Sequence, residues 1–117
     1  MSSKTYKLMM FGQVYEVQVS LAGNYDTGMA AIRLVEPDGA PFATLSVNLP
    51  DQPNLIDLAK IHTSVETRTV GFIAKLGSEN TELKQLLNYP EFVEISRGTY
   101  GNFGSECAVW TYTLPKD

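Results

Sequence analysis

The residues whose types could do chemistry are concentrated in one glycine-rich segment, Arg97–Ser105. This segment places a glycine at every third position, with Tyr100 and Phe103 between the glycines and a cation at its start. The backbone amides of such a segment can cradle an anion, and its aromatic rings can stack on a base. A P-loop is excluded because no Gly-Lys-Ser/Thr follows. Glycine first indicates a backbone requirement, so the main interpretation is a flexible hairpin connection between the last two strands. Exposed aromatic residues on a loop are nevertheless good partner-binding candidates, and the candidate residues here are Arg97, Tyr100, Asn102 and Phe103.

The single histidine and the single cysteine lack the neighbours that metal binding or catalysis needs. Only Asp57 and Glu66 lie near His62 in the sequence, so a structural role is its main interpretation. Cys107 begins an apolar strand, which predicts a packed and unreactive thiol. One cysteine also excludes an intramolecular disulfide and the clustered thiols of a zinc site, and it favours a reducing compartment.

The serines and the carboxylates give no catalytic pattern either. No serine lies in a Gly-x-Ser-x-Gly elbow. Glu36, Asp38 and Asp51 fall around predicted turns and lack the alternating spacing of a calcium-binding loop. The sequence therefore predicts no catalytic residue, no metal site and no cofactor, and we expect a protein that is not an enzyme.

Composition narrows the class of partner. The chain has 117 residues, which fits one domain spanning 1–117, and 44% of them are hydrophobic while 19% are charged, as in ordinary globular proteins. The net charge of −4 argues against an electrostatic footprint for nucleic acid. No run of 18 apolar residues is present, and the apolar part of Thr5–Phe11 is short and has no cleavage pattern, so neither a membrane span nor a signal peptide is predicted. We expect a cytoplasmic protein.

The clearest structural signal is the turn cassette Glu36–Pro41, which lies between the alternating runs Met29–Val35 and Phe42–Val47. Proline presets one backbone angle, glycine supplies a positive one and Asp38 caps its own turn, so an antiparallel hairpin is predicted. A second hairpin is predicted around Gly12-Gln13, because alternating residues flank this pair on both sides. The turn formers between Ala22 and Gly28 predict a surface connection.

The second half of the chain predicts further strands and one helix. Thr69–Ala74, Phe92–Ile95 and Cys107–Leu114 have the β-branched and aromatic content of strands. Ser78 offers an N-cap for a helix over about 78–88, with leucines 83, 86 and 87 on one face. Asn54–His62 fits either a short helix or an extended crossing. The predicted fold is α+β: an antiparallel sheet of six or seven short strands built from hairpins, with the 78–88 helix packed on one face.

A longer stretch resembles a known family. The run Gly39–Pro50, followed by Phe72–Lys75 and then by Ser78-Glu79-Asn80, resembles a family of small uncharacterised proteins encoded on bacterial plasmids, phages and integrative elements. The family is defined only as a domain of unknown function, and the similarity covers roughly residues 28–114. The resemblance implies a dispensable accessory gene of mobile DNA in the bacterial cytoplasm, and it implies no catalytic residues.

Together these observations favour a non-enzymatic accessory protein of a mobile genetic element that acts by binding another protein, with a host defence component as the candidate partner. The alternative is a small-ligand or nucleotide-binding module that uses the 97–105 loop. Tyr6, Trp110 and Tyr112 form a predicted aromatic group, for which packing within the sheet is the first interpretation and a homo-oligomer surface is the second.

Overall fold

The computed structural model of the chain describes residues 4–101 and 104–115. It contains an α-helix, α1 (Pro53–Ile61), and a 3₁₀ helix (Ser78–Asn88). It also contains the strands β1 (Thr5–Met10), β2 (Gln13–Asn24), β3 (Ala30–Val35), β4 (Pro41–Thr44), β5 (Thr69–Lys75), β6 (Phe92–Tyr100) and β7 (Ser105–Thr113). All strand pairs are antiparallel, so the predicted α+β class is confirmed.

The first sheet has the strand order β1-β2-β3-β4 and is built from the predicted hairpins. In the turn between β3 and β4, Gly39 has a φ of 92° and Asp38 Oδ1 accepts a hydrogen bond from the Ala40 amide at 3.0 Å. These are the roles that the turn cassette predicts. The connection predicted for 22–28 is shorter than expected, because β2 continues to Asn24 and pairs there with Ala30.

The second sheet has the order β5-β7-β6, so the seven antiparallel strands are divided between two sheets. After Thr44 the chain keeps hydrogen bonds from the Leu45 and Ser46 amides to the Ile32 carbonyl of β3, and it also pairs with β5. The Val47 amide donates to the Ile73 carbonyl at 2.9 Å, and the Lys75 amide donates to the Leu45 carbonyl at 2.8 Å. A short bridge between Ser46 and Ala74 thus links the two sheets. A bulge in β6 lies between Glu94 and Ser96.

The inner faces of the two sheets share the main core. Its largest buried side chains include Trp110, Tyr6 and Phe72. Phe92 contacts both Tyr6 and Trp110 edge to face, with ring centroids 5.3 and 6.1 Å apart. The predicted packing of Tyr6, Trp110 and Tyr112 within the protein is therefore confirmed, and these rings offer no oligomer surface because they are buried.

Helix α1 resolves the segment that the sequence left open. Pro53 stands in its first turn, where the fixed φ of proline suits helix initiation. Ile56 and Ala59 turn toward the outer face of the second sheet and join Ile73 and Val109 in a second apolar cluster. The approach is close at Gly71, where an added Cβ would lie 2.0 Å from the Ala59 carbonyl oxygen. Only glycine fits at this crossing.

The helix predicted over 78–88 exists with those bounds, but it is a 3₁₀ helix and Gly77, not Ser78, is its N-cap residue. A repeat of three residues per turn places Asn80, Leu83, Leu86 and Tyr89 on one side. The first three are buried, and the side-chain Nδ2 atom of Asn80 donates to the Thr44 and Lys75 carbonyls at 2.8 and 3.0 Å. The inward pattern therefore has a period of three. Across residues 4–101 and 104–115, no helix has the length and apolar character needed to cross a membrane.

Candidate functional site

The predicted loop over 97–105 is mostly strand. β6 continues to Tyr100 and β7 begins at Ser105, and these two residues are paired. Gly101 and Gly104 have φ values of 75° and 65°, so the glycines serve the tight connection between the strands. The predicted tip residues Asn102 and Phe103 lie outside the described residues.

Arg97 is held on the sheet by an ion pair. Its Nε and Nη2 atoms donate to Glu94 Oε2 at 3.0 and 2.8 Å, and the hydrogen bond to this carboxylate raises the pKa of the Arg97 guanidinium. The same oxygen accepts a hydrogen bond from Trp110 Nε1 at 3.0 Å. Glu94 therefore connects the Arg97 guanidinium at the surface to the Trp110 indole in the core. These contacts give Arg97 a structural role in the second sheet.

Tyr100 also packs against the body of the protein. It is partly buried against the second apolar cluster, where α1 covers the second sheet. Two of the four predicted partner-binding residues, Arg97 and Tyr100, thus lie in β6 with contacts of their own.

His62 and Cys107 occupy structural positions. His62 is the C-cap residue of α1, and its Nδ1 atom is buried without a hydrogen-bond partner. Within the described ranges, no three histidine, cysteine or carboxylate side chains lie close enough to hold a metal ion. Cys107 is buried in the second apolar cluster, as predicted for a packed thiol, and burial raises its pKa.

An exposed apolar group lies elsewhere, at the turn between β1 and β2. Met9, Phe11 and Val14 are 53%, 88% and 57% exposed, and Met9 pairs directly with Val14 across the two strands. We call these three residues the hairpin patch. Lys7 pairs with Glu16 one step further along the same sheet face, so a pair of opposite charges borders the patch.

Phe11 sits in a backbone conformation that does not suit it. The two-residue turn Phe11-Gly12 has φ values of 52° and 73°, both in the left-handed region. Such turns favour Asn, Asp or Gly at the first position, because a bulky L-residue there is strained. Phe11 gains little burial in return, since it is 88% exposed. Its ring therefore contributes little to the stability of this fold.

The backbone edge of β1 beside the patch is already occupied. Gln85 Oε1 accepts from the Met9 amide and Gln85 Nε2 donates to the Met9 carbonyl, both at 2.8 Å. The Tyr89 hydroxyl accepts from the Lys7 amide at 2.9 Å. Side chains of the 3₁₀ helix and its C-cap thus take the place of a neighbouring strand. A partner reaching this end of the sheet meets side chains and not a free row of amides and carbonyls.

Sequence reasoning missed the hairpin patch, although one signal was present. The core-facing residues of β1 are Tyr6, Leu8 and Met10, so Met9 and Phe11 are apolar residues out of phase with the strand. Apolar residues on both faces usually indicate a cover on both sides. Here no element covers Met9 and Phe11 on the outer face within the described part of the chain.

Comparison of the chain with protein family models, with curated proteins and with solved structures finds no match.

Proposed function

We propose that this chain is a non-enzymatic binding protein that docks on another protein through the hairpin patch. The observation that carries the proposal is Phe11: a large apolar ring, 88% exposed, on a turn where its backbone is strained. Residues that destabilise a fold locally and offer a ring to solvent are typical of binding surfaces.

The surroundings of Phe11 support a side-chain-mediated interface. Met9 and Val14 flank the ring on the outer sheet face, and the Lys7–Glu16 pair lies at the border. An apolar centre with a polar rim is the usual anatomy of a protein–protein interface. The partner that fits is a protein with an apolar recess able to accept one phenyl ring, because β1 has no free edge at Met9 for strand addition.

The biological setting is proposed on the resemblance alone. The Gly39–Pro50 run and the Ser78-Glu79-Asn80 segment resemble accessory proteins of plasmids, phages and integrative elements. We therefore propose a cytoplasmic accessory protein of a mobile genetic element, with a component of host defence as its target.

The test is site-specific photo-crosslinking in bacterial cells. A benzoyl-phenylalanine introduced at position 11 keeps an aromatic ring there, and the same probe at Val65 is the matched control. Val65 is 93% exposed and lies on a different loop, so the two probes differ in place and not in accessibility. We expect one discrete crosslinked protein from position 11 and none of that mass from position 65.

A crosslink pattern shared by both positions would show unspecific contact and would overturn the proposal. The same conclusion would follow if position 11 gave no adduct in a host in which expression of the protein suppresses a defence system. A discrete adduct that persists when Met9 and Val14 are both replaced by serine would show that these two residues are not part of the interface.

A further inference from the structure

A groove opens where the two sheets diverge. The Ser46–Ala74 bridge holds them together at one end, whereas at the other end the start of β3 and the start of β5 face each other without pairing. The opening has a volume of about 530 Å³ and lies between β2, β3, β5 and the C-terminal end of α1. Volumes of 300–1,000 Å³ are typical of small-molecule sites.

The walls of the groove are mainly apolar. Leu21, Met29 and Val70 line it, and three glycines, Gly23, Gly28 and Gly71, add backbone without side chains. Leu21 is 47% exposed, so its side chain is available at the wall. The lining therefore suits an apolar body.

The charge of the lining is one-sided. Lys60 is the one charged residue that lines the groove within the described part of the chain, although the protein has a net charge of −4. Lys60 forms no ion pair with a carboxylate of the described residues, in contrast to Lys4 and Lys84, which pair with Glu91 and Glu106.

The two polar residues of the lining differ in availability. The Thr63 hydroxyl is already committed, because it donates to the Ala59 carbonyl at 3.1 Å and accepts from the Gly71 amide at 2.9 Å. The side chain of Asn24 forms no hydrogen bond with another described residue, so its side-chain amide group is available as a donor. The groove thus offers a cation and a neutral donor above an apolar wall.

We propose that this groove binds a small amphipathic carboxylate, with its apolar body against Leu21 and Val70 and its carboxylate on Lys60. A charge-assisted hydrogen bond from a lysine to a carboxylate supplies the selectivity for the acid over a neutral analogue. This site is separate from the hairpin patch, and neither proposal depends on the other.

The test compares 4-phenylbutyrate with 4-phenylbutanol, which has the same skeleton and no charge. Titration is followed by amide chemical shifts, and the amides of Gly23, Gly28 and Gly71 report on the groove directly. We expect saturable shifts at these glycines at millimolar acid, and binding of the alcohol about tenfold weaker.

Two variants separate the parts of the site. Lys60→Gln should weaken the acid about tenfold and leave the alcohol unchanged, whereas Leu21→Ser should weaken both ligands by the same factor. Arg33→Gln, on the outer face of the first sheet and outside the groove lining, is the matched control and should change neither. The affinity ratio of acid to alcohol is the readout, because Lys60 also lies in the last turn of α1 and its replacement alters helix stability.

Equal affinity for acid and alcohol in the unaltered protein would overturn the assignment of Lys60. Shifts that do not saturate, or that spread over surfaces away from the three glycines, would overturn the site itself.

Discussion

Replacing Phe11 with asparagine should stabilise the protein and abolish partner binding at the same time. The ring is 88% exposed, so its removal sacrifices only about 0.2–0.4 kcal/mol of the 1.5–3 kcal/mol that full burial of a phenylalanine provides. Relief of the left-handed strain at a φ of 52° should return about 1 kcal/mol, because asparagine tolerates this region. The net gain is about 0.7 kcal/mol, or a rise in Tm of about 3 °C.

The assay is urea unfolding followed by the fluorescence of Trp110, the single and buried tryptophan. Phe11→Ala is the control, because it removes the same ring but leaves a residue that is still strained at positive φ. We expect the alanine variant to be slightly less stable than the unaltered protein, and about 1 kcal/mol less stable than the asparagine variant. Both variants should also fail to co-purify the partner that the probe at position 11 identifies.

One result would refute this reasoning directly. If Phe11→Asn were less stable than Phe11→Ala, the backbone strain assigned to the turn would not exist. If both variants kept partner binding, the strained Phe11 residue would not be needed for the interaction.

Three other changes test the architecture. Gln85→Leu removes both hydrogen bonds to Met9 and should cost about 1–2 kcal/mol, with faster hydrogen exchange of the Met9 amide measured by NMR. Gly71→Ala should cost about 3 kcal/mol or more in urea unfolding, because its Cβ would lie 2.0 Å from the backbone of α1, whereas Gly98→Ala, with open space around it, should change little. Burial raises the pKa of Tyr6 above its ordinary value near 10, so the folded protein retains the proton that the unfolded chain loses. The free energy of unfolding should therefore be constant with respect to this group below pH 10 and fall above it by about 1.4 kcal/mol per pH unit, and Tyr6→Phe should reduce that slope.

Each of these has an outcome that contradicts it. Unchanged exchange at Met9 in Gln85→Leu would mean that the edge of β1 is held by something other than the side-chain amide. Similar stability of the two glycine variants would place α1 further from β5 than described. Equal slopes above pH 10 with and without the Tyr6 hydroxyl would show that this group is not protected in the folded state.

Local chemistry predicted much of the strand and turn pattern. The Glu36–Pro41 turn formed as expected because proline, aspartate and glycine each satisfy one backbone requirement within six residues. The division into two sheets could not be predicted in this way. It depends on the distant pairing of Ser46 with Ala74, and on the Ser46 hydroxyl accepting from the Ile32 amide at 2.8 Å.

The candidate site was harder to predict than the fold. Glycine content suggested a loop over 97–105, but Gly98 is accommodated within β6, and pairing with β7 along the strand outweighs the flexibility of one residue. The hairpin patch was missed because exposure depends on whether another element covers the outer face of β1. No pattern within Tyr6–Val14 contains that information.

The side-chain hydrogen bonds along the edge of β1 have a consequence for the synthesis of the protein. Met9 and Lys7 are satisfied by side chains 76 and 82 positions later in the chain. A ribosome adding about 5–20 residues per second needs about 4–16 s to synthesise that interval. If the hairpin forms during that interval, it exposes both the unpaired edge of β1 and the Phe11 ring, two features that favour association with other chains.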